Sequence, residues 1–426
     1  MSKRIDNYLS KRADLERHPI EGGATHSNID RVIVIPALAE RDSLPNMLDS
    51  LTKCNKDFLK TTLVLIVVNN RDAEHVSAEA IEENQQTLAW LRSDPYPTLN
   101  LLYIDASSPG NELGRKDGVG TARKIGMDHA LNILNESTVT PLIICLDADT
   151  TVEPNYLDAL DAFTNSKSPW AGVINYAHPI QGSPEEQAAI VSYELFLRYT
   201  ELGLRFASSP YAFHTIGSTI VCTPEAYAAV SGMNRKAAGE DFYFLQQLAK
   251  TGSITRITDT TVYPSPRVSW RVPFGTGKRV GRFLDGEDDE WKVYNPESYR
   301  ILKEWLETVT NSLDKDGEFL TEQSRNIALE LANFMENTSF KKSWRNLKQH
   351  ASNEAQLLKQ FHGYFDGFQT LKLLHHLRDS GFPDIDTFEA LKVFSSRAKF
   401  ELNIASDVRD NLDAQIDVLR QLREIS

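Results

Sequence analysis

The segment LIICLDADT, residues 142–150, determines the fold class. Its first five residues are apolar without interruption, which is typical of a strand that is buried on both faces. Three earlier runs have the same character: residues 32–35, 63–68 and 101–104. Amphipathic segments with helical spacing follow the four runs: residues 44–51, 73–91, 119–134 and 154–163. This alternation predicts an α/β fold with a doubly wound, mostly parallel sheet.

The later part of the chain changes in character. Shorter strands are predicted at residues 171–176, 218–222 and 254–257. Five cations and no acid lie between Arg267 and Arg282, whereas five of the six residues at 285–290 are acidic, and such a switch indicates an exposed boundary. Beyond it the segments favour helix. We therefore expect three parts: a polar N-terminal extension at 1–30, the sheet domain at 31–284, and an all-helical C-terminal domain at 285–426.

Composition excludes several classes of protein. The 426 residues are 41% hydrophobic and 25% charged, close to the averages for globular proteins. The net charge of −13 argues against a nucleic-acid partner, because long-range repulsion opposes binding. No apolar run approaches the roughly 18 residues of a membrane span, so we expect no integral membrane segment. The charged N-terminal segment lacks the apolar core of a secretory signal, which predicts a cytoplasmic location.

Asp147 and Asp149 directly follow the deciding strand. Ligands of such sheets bind beyond the carboxyl ends of the strands. Two carboxylates at that position can hold Mg²⁺ or Mn²⁺, which also bridges the oxygens of a bound diphosphate. The alternative is a pair of turn acids that caps the helix after Pro154. The position after a buried strand favours the metal site.

Four further polar motifs follow in order along the chain. They are Pro36-Ala37-Leu38-Ala39-Glu40, Asn69-Asn70-Arg71-Asp72, Ala122-Arg123-Lys124-Ile125-Gly126 and Gly239-Glu240-Asp241-Phe242. Together with the two aspartates, this ordered set resembles the family 2 glycosyltransferases of the GT-A fold. The resemblance covers about residues 31–265. It implies transfer of a sugar from a nucleotide diphosphate sugar to a hydroxyl acceptor, which makes 31–284 a GT-A-like donor and acceptor domain.

The resemblance assigns the donor side of the site. Pro36, Ala37 and Glu40 would border the nucleoside, although Glu40 would serve equally well as a helix-start carboxylate. Asn69 stands where family members usually have an Asp that accepts from the uracil ring nitrogen. An amide oxygen can accept the same bond, so a UDP-sugar is favoured.

Arg123 would place a cation near the diphosphate, with Asp147 beside it. The metal would be held by Asp149, with Asp147 supporting it. A solvated helix face is the alternative for Arg123. Family members commonly have Asn after this Arg, whereas this chain has Lys124.

The resemblance assigns the acceptor side to the Glu240-Asp241 pair. Asp241 would be the base that takes the proton from the attacking hydroxyl, and Glu240 would support the site. A helix N-terminal acid pair, favoured by the helix dipole, explains the same residue types without chemistry.

The cationic segment at 267–282 follows the last motif. Arg267, Arg271, Lys278 and Arg279 are interpreted as a mobile, glycine-hinged loop that closes over the diphosphate or binds an acidic acceptor. An exposed turn neutralised by the acids at 285–290 is the alternative.

The resemblance implies an inverting displacement, and the chain departs from the processive synthases of the family. It has no membrane span and no Gln-X-X-Arg-Trp after the Glu-Asp pair, so we expect a single-addition enzyme. Two alternatives stay open. One is a retaining transferase similar to those that make mannosylglycerate or glucosylglycerate, and the other is a non-catalytic scaffold with a vestigial site.

Overall fold

The chain forms two compact units. The computed structural model describes residues 2–23, 28–134, 137, 139–269, 275–286 and 289–426. The first unit contains Met1–Pro179 and Thr215–Gly275, and the second contains Ile180–His214 and Thr276–Ser426. The division at residues 284 and 285, which we inferred from the charge switch, stays a prediction.

A nine-stranded sheet forms the centre of the described part of the first unit. The strands are β1 (Ile20–Gly22), β2 (Arg31–Ala37), β3 (Thr62–Asn69), β4 (Asn100–Ala106), β5 (Leu142–Cys145), β6 (Thr151–Val152), β7 (Ala171–Tyr176), β8 (Ile220–Cys222) and β9 (Ile254–Tyr263). Their order across the sheet is β1-β4-β3-β2-β5-β8-β7-β9-β6. The central strands β4, β3, β2 and β5 are parallel, and so are β7 and β9. The predicted doubly wound, mostly parallel sheet is confirmed.

Helices flank the central strands of the first unit. Numbered along the whole chain, they are α1 (Lys3–Arg12), α2 (Leu44–Thr52), α3 (Lys56–Lys60), α4 (Ala78–Arg92), α5 (Val119–Leu134), α6 (Tyr156–Thr164), α8 (Pro224–Ala229) and α9 (Glu240–Thr251). Every residue of β2 and β3 is buried, because uninterrupted apolar runs fit strands that are covered on both faces. The carboxyl ends of β2, β3, β4 and β5 therefore meet at one edge of the sheet.

A buried polar cluster attaches the N-terminal helix to the first unit. The Tyr8 hydroxyl lies 2.7 Å from both Asp128 Oδ1 and Lys124 Nζ, and the Lys124 ammonium donates to Asp128 Oδ2 at 2.5 Å. Lys124, the residue that departs from the family pattern, therefore joins α1 to α5.

The described part of the second unit is helical apart from one short strand pair, β10 (Lys292–Val293) with β11 (Ile385–Asp386). Its helices are α7 (Pro184–Phe206), α10 (Thr276–Asp285), α11 (Pro296–Thr310), α12 (Gly317–Ile327), α13 (Leu329–Asn337), α14 (Phe340–His350), α15 (Glu354–Tyr364), α16 (Gly367–Ser380), α17 (Thr387–Ala398) and α18 (Leu412–Ile425). The predicted helical C-terminal region is confirmed. Within the described residues, none of the helices combines the length and the apolar character of a membrane span.

Candidate active site

The two aspartates of the predicted metal motif lie in the turn between β5 and β6. The Thr150 amide closes this turn by donating to the Asp147 carbonyl oxygen at 3.1 Å. The side chains of Asp147 and Asp149 are 32% and 23% exposed, so both carboxylates are accessible from solvent. Because β5 is parallel to β2, the turn lies beside the end of β2 at the carboxyl edge of the sheet.

Arg123 connects this turn to the predicted acceptor motif. The residue lies on α5 and is 4% exposed, and its guanidinium donates to Asp147 Oδ1 and to Glu240 Oε1. Burial alone would lower the pKa of the guanidinium, but the carboxylates of Asp147 and Asp241 raise it. Arg123 is therefore a permanent cation between the two motifs.

A second arginine holds the other aspartate. Arg267 donates to Glu40 Oε1, and it lies 2.8 Å from Asp149 Oδ2 and 3.1 Å from Ser43 Oγ. Burial works against its charge, whereas Asp149 and Glu40 raise the pKa of the guanidinium. Each aspartate of the motif thus has its own arginine, and Arg267 joins the end of β2 to the turn after β5.

The donor set of the turn suits a hard divalent cation. Asp147 and Asp149 offer carboxylate oxygens, which Mg²⁺ and Mn²⁺ prefer. Among the described residues, the group of three ligand-bearing side chains that lies within 4.8 Å is elsewhere, at Asp72, Glu74 and His75. Since Mg²⁺ is usually bound by one or two carboxylates together with substrate phosphates and water, two aspartates are a sufficient protein contribution.

The segment after β2 lines the neighbouring part of the edge. Pro36 and Ala37 are the last two residues of the strand and are aligned with Val67 and Val68 of β3. Ala39 has a φ of 51°, a left-handed conformation that is uncommon for a residue with a side chain and often marks a functional turn.

A buried asparagine on α4 fixes the ends of β2 and β3. Asn84 accepts from the Ala39 amide at 2.9 Å, and it donates to the Asn69 carbonyl at 3.0 Å and to Asn70 Oδ1 at 2.8 Å. Asn70 also donates to the Arg71 carbonyl at 2.8 Å. These bonds give Asn70 a structural role.

Asn69 is different from its neighbour. It ends β3 and is 5% exposed, and its side-chain oxygen Oδ1 has no hydrogen-bond partner among the described residues. A buried acceptor without a partner costs about 1–3 kcal/mol, so a ligand that donates an N–H to this oxygen would be stabilised.

Asp241 lies in the first turn of α9, next to Glu240. It is half-buried, and one carboxylate oxygen accepts from the Phe242 amide at 2.7 Å. Burial raises the pKa of Asp241, the Arg123 guanidinium opposes this effect, and Asp147 adds to it. The hydrogen bond to a first-turn amide fits the helix-acid interpretation, whereas Glu240 makes its ion pair with Arg123.

The cationic segment at 267–282 does not form one loop. Lys278 and Arg279 lie on α10, where Arg279 and Arg282 both bind Glu290, at 2.6 and 2.5 Å. Of the described cations of the expected loop, Arg267 is the one that joins the residues described above. Arg271 lies outside the described residues. Lys278 belongs to the second unit, and its part in donor binding stays a prediction.

Two residues of the site were not predicted from the sequence. Asn84 shares a face of α4 with the buried residues Ala80, Thr87 and Leu88, so a polar residue on an apolar face was the available signal. Gly217 lies against the Arg123 guanidinium, where any side chain would collide with it. No local pattern indicates that contact.

No protein-family model matches the chain, and no curated protein sequence matches it. Among solved structures, it is similar to Staphylococcus aureus TarS residues 1–349 in complex with UDP-GlcNAc. The identity is 14% and the TM-score 0.39, with 89% of this chain and 95% of that chain covered. It is also similar to the mannosyltransferase PcManGT from Pyrobaculum calidifontis in complex with GDP-Man and Mn²⁺. That identity is 15% and the TM-score 0.35, with 88% and 90% of the chains covered.

Proposed function

We propose that the protein is a glycosyltransferase that transfers a sugar from a nucleotide diphosphate sugar to a hydroxyl acceptor. The observation that carries the proposal is the ion pairing of Arg123 with Asp147 and Glu240. It brings an Asp-X-Asp turn and a Glu-Asp pair to one edge of a doubly wound sheet. This edge is where sheets of this kind bind nucleotides.

The donor side supports a uridine nucleotide. Asn69 Oδ1 is a buried acceptor without a partner in the described chain, and the ring N–H of uracil is a donor that would satisfy it. Glu40 and the Pro36-Ala37 strand end border the same edge. A UDP-sugar is therefore the favoured donor.

The residues around the turn would bind and neutralise the diphosphate. Asp149, with Asp147 beside it, would hold Mg²⁺ or Mn²⁺, and a divalent cation at that point stabilises negative charge on the leaving diphosphate. Arg123 and Arg267 supply fixed positive charge at the same edge. Arg267 now binds Glu40 and Asp149, so donor binding would replace one of its partners.

Asp241 would accept the proton of the acceptor hydroxyl as the new glycosidic bond forms and the bond to the diphosphate breaks. Its raised pKa makes it a better base than an ordinary carboxylate, because base strength increases with pKa. Glu240 would position Arg123. An inverting, single-addition reaction and a cytoplasmic location belong to this proposal.

A panel of UDP- and GDP-sugars tests the proposal. We expect a UDP-sugar to raise the thermal midpoint of unfolding when Mn²⁺ is present and to have no effect when a chelator removes the metal. A ligand at 100 times its Kd stabilises the folded protein by about 2.7 kcal/mol, which is large enough to detect. The same sugar should be transferred or slowly hydrolysed. If no nucleotide diphosphate sugar binds with either metal, the proposal is wrong and the scaffold alternative gains support.

A further inference from the structure

Two loops of the first unit meet beside the proposed base: residues 114–120, which run into the first turn of α5, and residues 234–239. They pack backbone against backbone. A Cβ added at Gly118 would lie 2.8 Å from Ala237 Cα, and one at Gly120 would lie 2.8 Å from the Asn234 carbonyl oxygen. Asn234 also donates to the Glu240 carbonyl at 2.9 Å, which fixes the second loop to the start of α9.

These loops carry four exposed cations, here named the basic patch: Arg115, Lys116, Arg235 and Lys236. None of the four forms an ion pair with a described residue. The second loop contains no acid, whereas the first contains Asp117, and Arg115 also interacts electrostatically with Asp72. Lys236 Nζ lies 4.0 Å from the centre of the Tyr243 ring of α9.

The basic patch differs from the other cations described above. Arg123 and Arg267 are bonded to carboxylates of the site itself, and Arg279 and Arg282 bind Glu290. The basic patch keeps its charge available to solvent in a protein whose net charge is −13. Exposed positive charge that is not held in an ion pair, on an acidic protein, favours binding of an anion at that place.

We propose that the basic patch binds an anionic group of the acceptor, so that the acceptor is a hydroxyl compound that also carries a phosphate or a carboxylate. This inference rests on the proposed function, whose acceptor class it names. The anion would lie against Arg235 and Lys236 while the hydroxyl faces Asp241. Arginine favours phosphate and carboxylate alike through paired N–H donors.

The test compares glycerol phosphate, glycerate and glycerol by calorimetry, with UDP and Mn²⁺ present. We expect at least one of the two anions to bind with an affinity that decreases as salt is added, and glycerol to bind much more weakly. The anion that binds more tightly identifies the group. Equal binding of glycerol, or no binding of either anion by the parent protein, overturns the inference.

The double variant Arg235→Gln/Lys236→Gln should bind the anion roughly threefold to thirtyfold more weakly, because exposed ion pairs are individually modest. Arg115→Gln/Lys116→Gln provides a second variant of the basic patch. Lys342→Gln/Arg345→Gln, at exposed positions of α14, removes the same charge elsewhere and should leave the affinity unchanged. Unchanged anion affinity in both patch variants contradicts the inference.

UDP binding is measured in the same samples and separates the two proposals. If the patch variants lose anion binding but keep UDP binding, both proposals stand. If the parent binds anions at the basic patch but binds no nucleotide diphosphate, the proposed function fails while the anion site remains.

Discussion

Asp147 and Asp149 each form an ion pair with a different arginine, although they are separated by one residue. Arg123 is buried, so its pairing with Asp147 belongs to the folded framework. Arg267 and Asp149 are both partly exposed, and pairs of that kind contribute little to stability. The Asp149 carboxylate can therefore exchange an arginine for a metal ion at low cost, whereas Asp147 is held in place.

This difference gives a prediction for Asp149→Ala. We expect metal-dependent nucleotide-sugar binding to be lost, while the free energy of unfolding changes by less than about 1 kcal/mol, because Arg267 keeps Glu40 as a partner. Calorimetry with Mn²⁺ measures the first quantity and urea denaturation the second. Asp158→Ala, an exposed acid on α6, is the matched control and should bind the donor normally. Normal donor affinity in Asp149→Ala contradicts the metal assignment.

A second prediction concerns Asp241→Asn, which keeps the shape and the oxygen that accepts from Phe242. Loss of a general base typically slows a reaction by roughly a hundredfold to ten-thousandfold. We expect a loss of at least about a hundredfold in transfer, with donor affinity within a few-fold of the parent. Near-normal turnover by the folded variant would show that the role of Asp241 is structural and not catalytic.

The pKa of Asp241 also determines how the difference in stability between the parent and Asp241→Asn depends on pH. Its pKa is raised in the folded state, so the protonated form stabilises the fold below the unfolded pKa of about 3.9, and that contribution is lost as pH rises through the folded pKa. Asp241→Asn should therefore be more stable than the parent at neutral pH and no more stable in acid. Urea denaturation at several pH values measures this difference, and a constant difference would argue against it.

At the scale of elements, α4 fixes the ends of two strands through one side chain. Asn84→Ala removes the hydrogen bonds that Asn84 makes to the Ala39 amide, the Asn69 carbonyl and Asn70 Oδ1. Since each buried unsatisfied group costs about 1–3 kcal/mol, we expect a loss of about 3 kcal/mol in the free energy of unfolding, together with weaker donor binding.

Thr87→Ala is the control for Asn84→Ala. Thr87 is buried on the same helix, but within the described chain its hydroxyl bonds only to the Glu83 carbonyl of α4 itself, at 2.8 Å. Its removal should lower stability less and leave donor affinity unchanged. Equal effects of the two variants on donor affinity would show that Asn84 does not shape the edge of the sheet.

The sequence predicts the strands better than it predicts their side-chain partners. Uninterrupted apolar runs identify β2, β3 and β5, and parallel strands end at one edge, so Glu40, Asn69 and Asp147 could be placed there in advance. The bond between Arg123 and Glu240 joins residues 117 positions apart, and no periodic pattern encodes it. Such contacts depend on the completed fold.

The cationic segment shows how packing overrides a local signal. Glycines and cations at 267–282 favour a loop, yet residues 276–285 form α10. Val280 and Phe283 of this helix pack against Ile190 of α7, and that apolar contact stabilises a helix of weak intrinsic propensity. A contact with a helix almost a hundred residues earlier is not visible in the segment itself.

At the scale of the whole molecule, α7 precedes β8 and β9 in the chain but belongs to the second unit. Its residues Val191, Leu195, Tyr199 and Leu202 are buried in a cluster with Tyr299, Phe394 and Leu419 of α11, α17 and α18. A fragment cut at the charge switch would keep α7 without these partners.

We therefore expect the fragment 1–284 to aggregate, because each large apolar side chain of α7 left exposed costs about 1.5–3 kcal/mol. Size-exclusion chromatography and dye binding measure the effect. The substitutions Val191→Gln, Leu195→Gln and Leu202→Gln should make the fragment more soluble and should destabilise the full-length chain. If the unsubstituted fragment is monomeric and folded, the domain boundary lies between residues 284 and 285 and this prediction is wrong.

The position of α7 also matters while the protein is being made. Its partners in α18 end at Ile425, about 220 residues after α7, so at roughly 5–20 residues per second the helix leaves the ribosome some tens of seconds before they do. The last strand of the first unit's sheet ends at Tyr263, so all strands of the sheet are synthesised before α18. During that interval the apolar face of α7 lacks these partners, and slower translation of the last helices would prolong the interval.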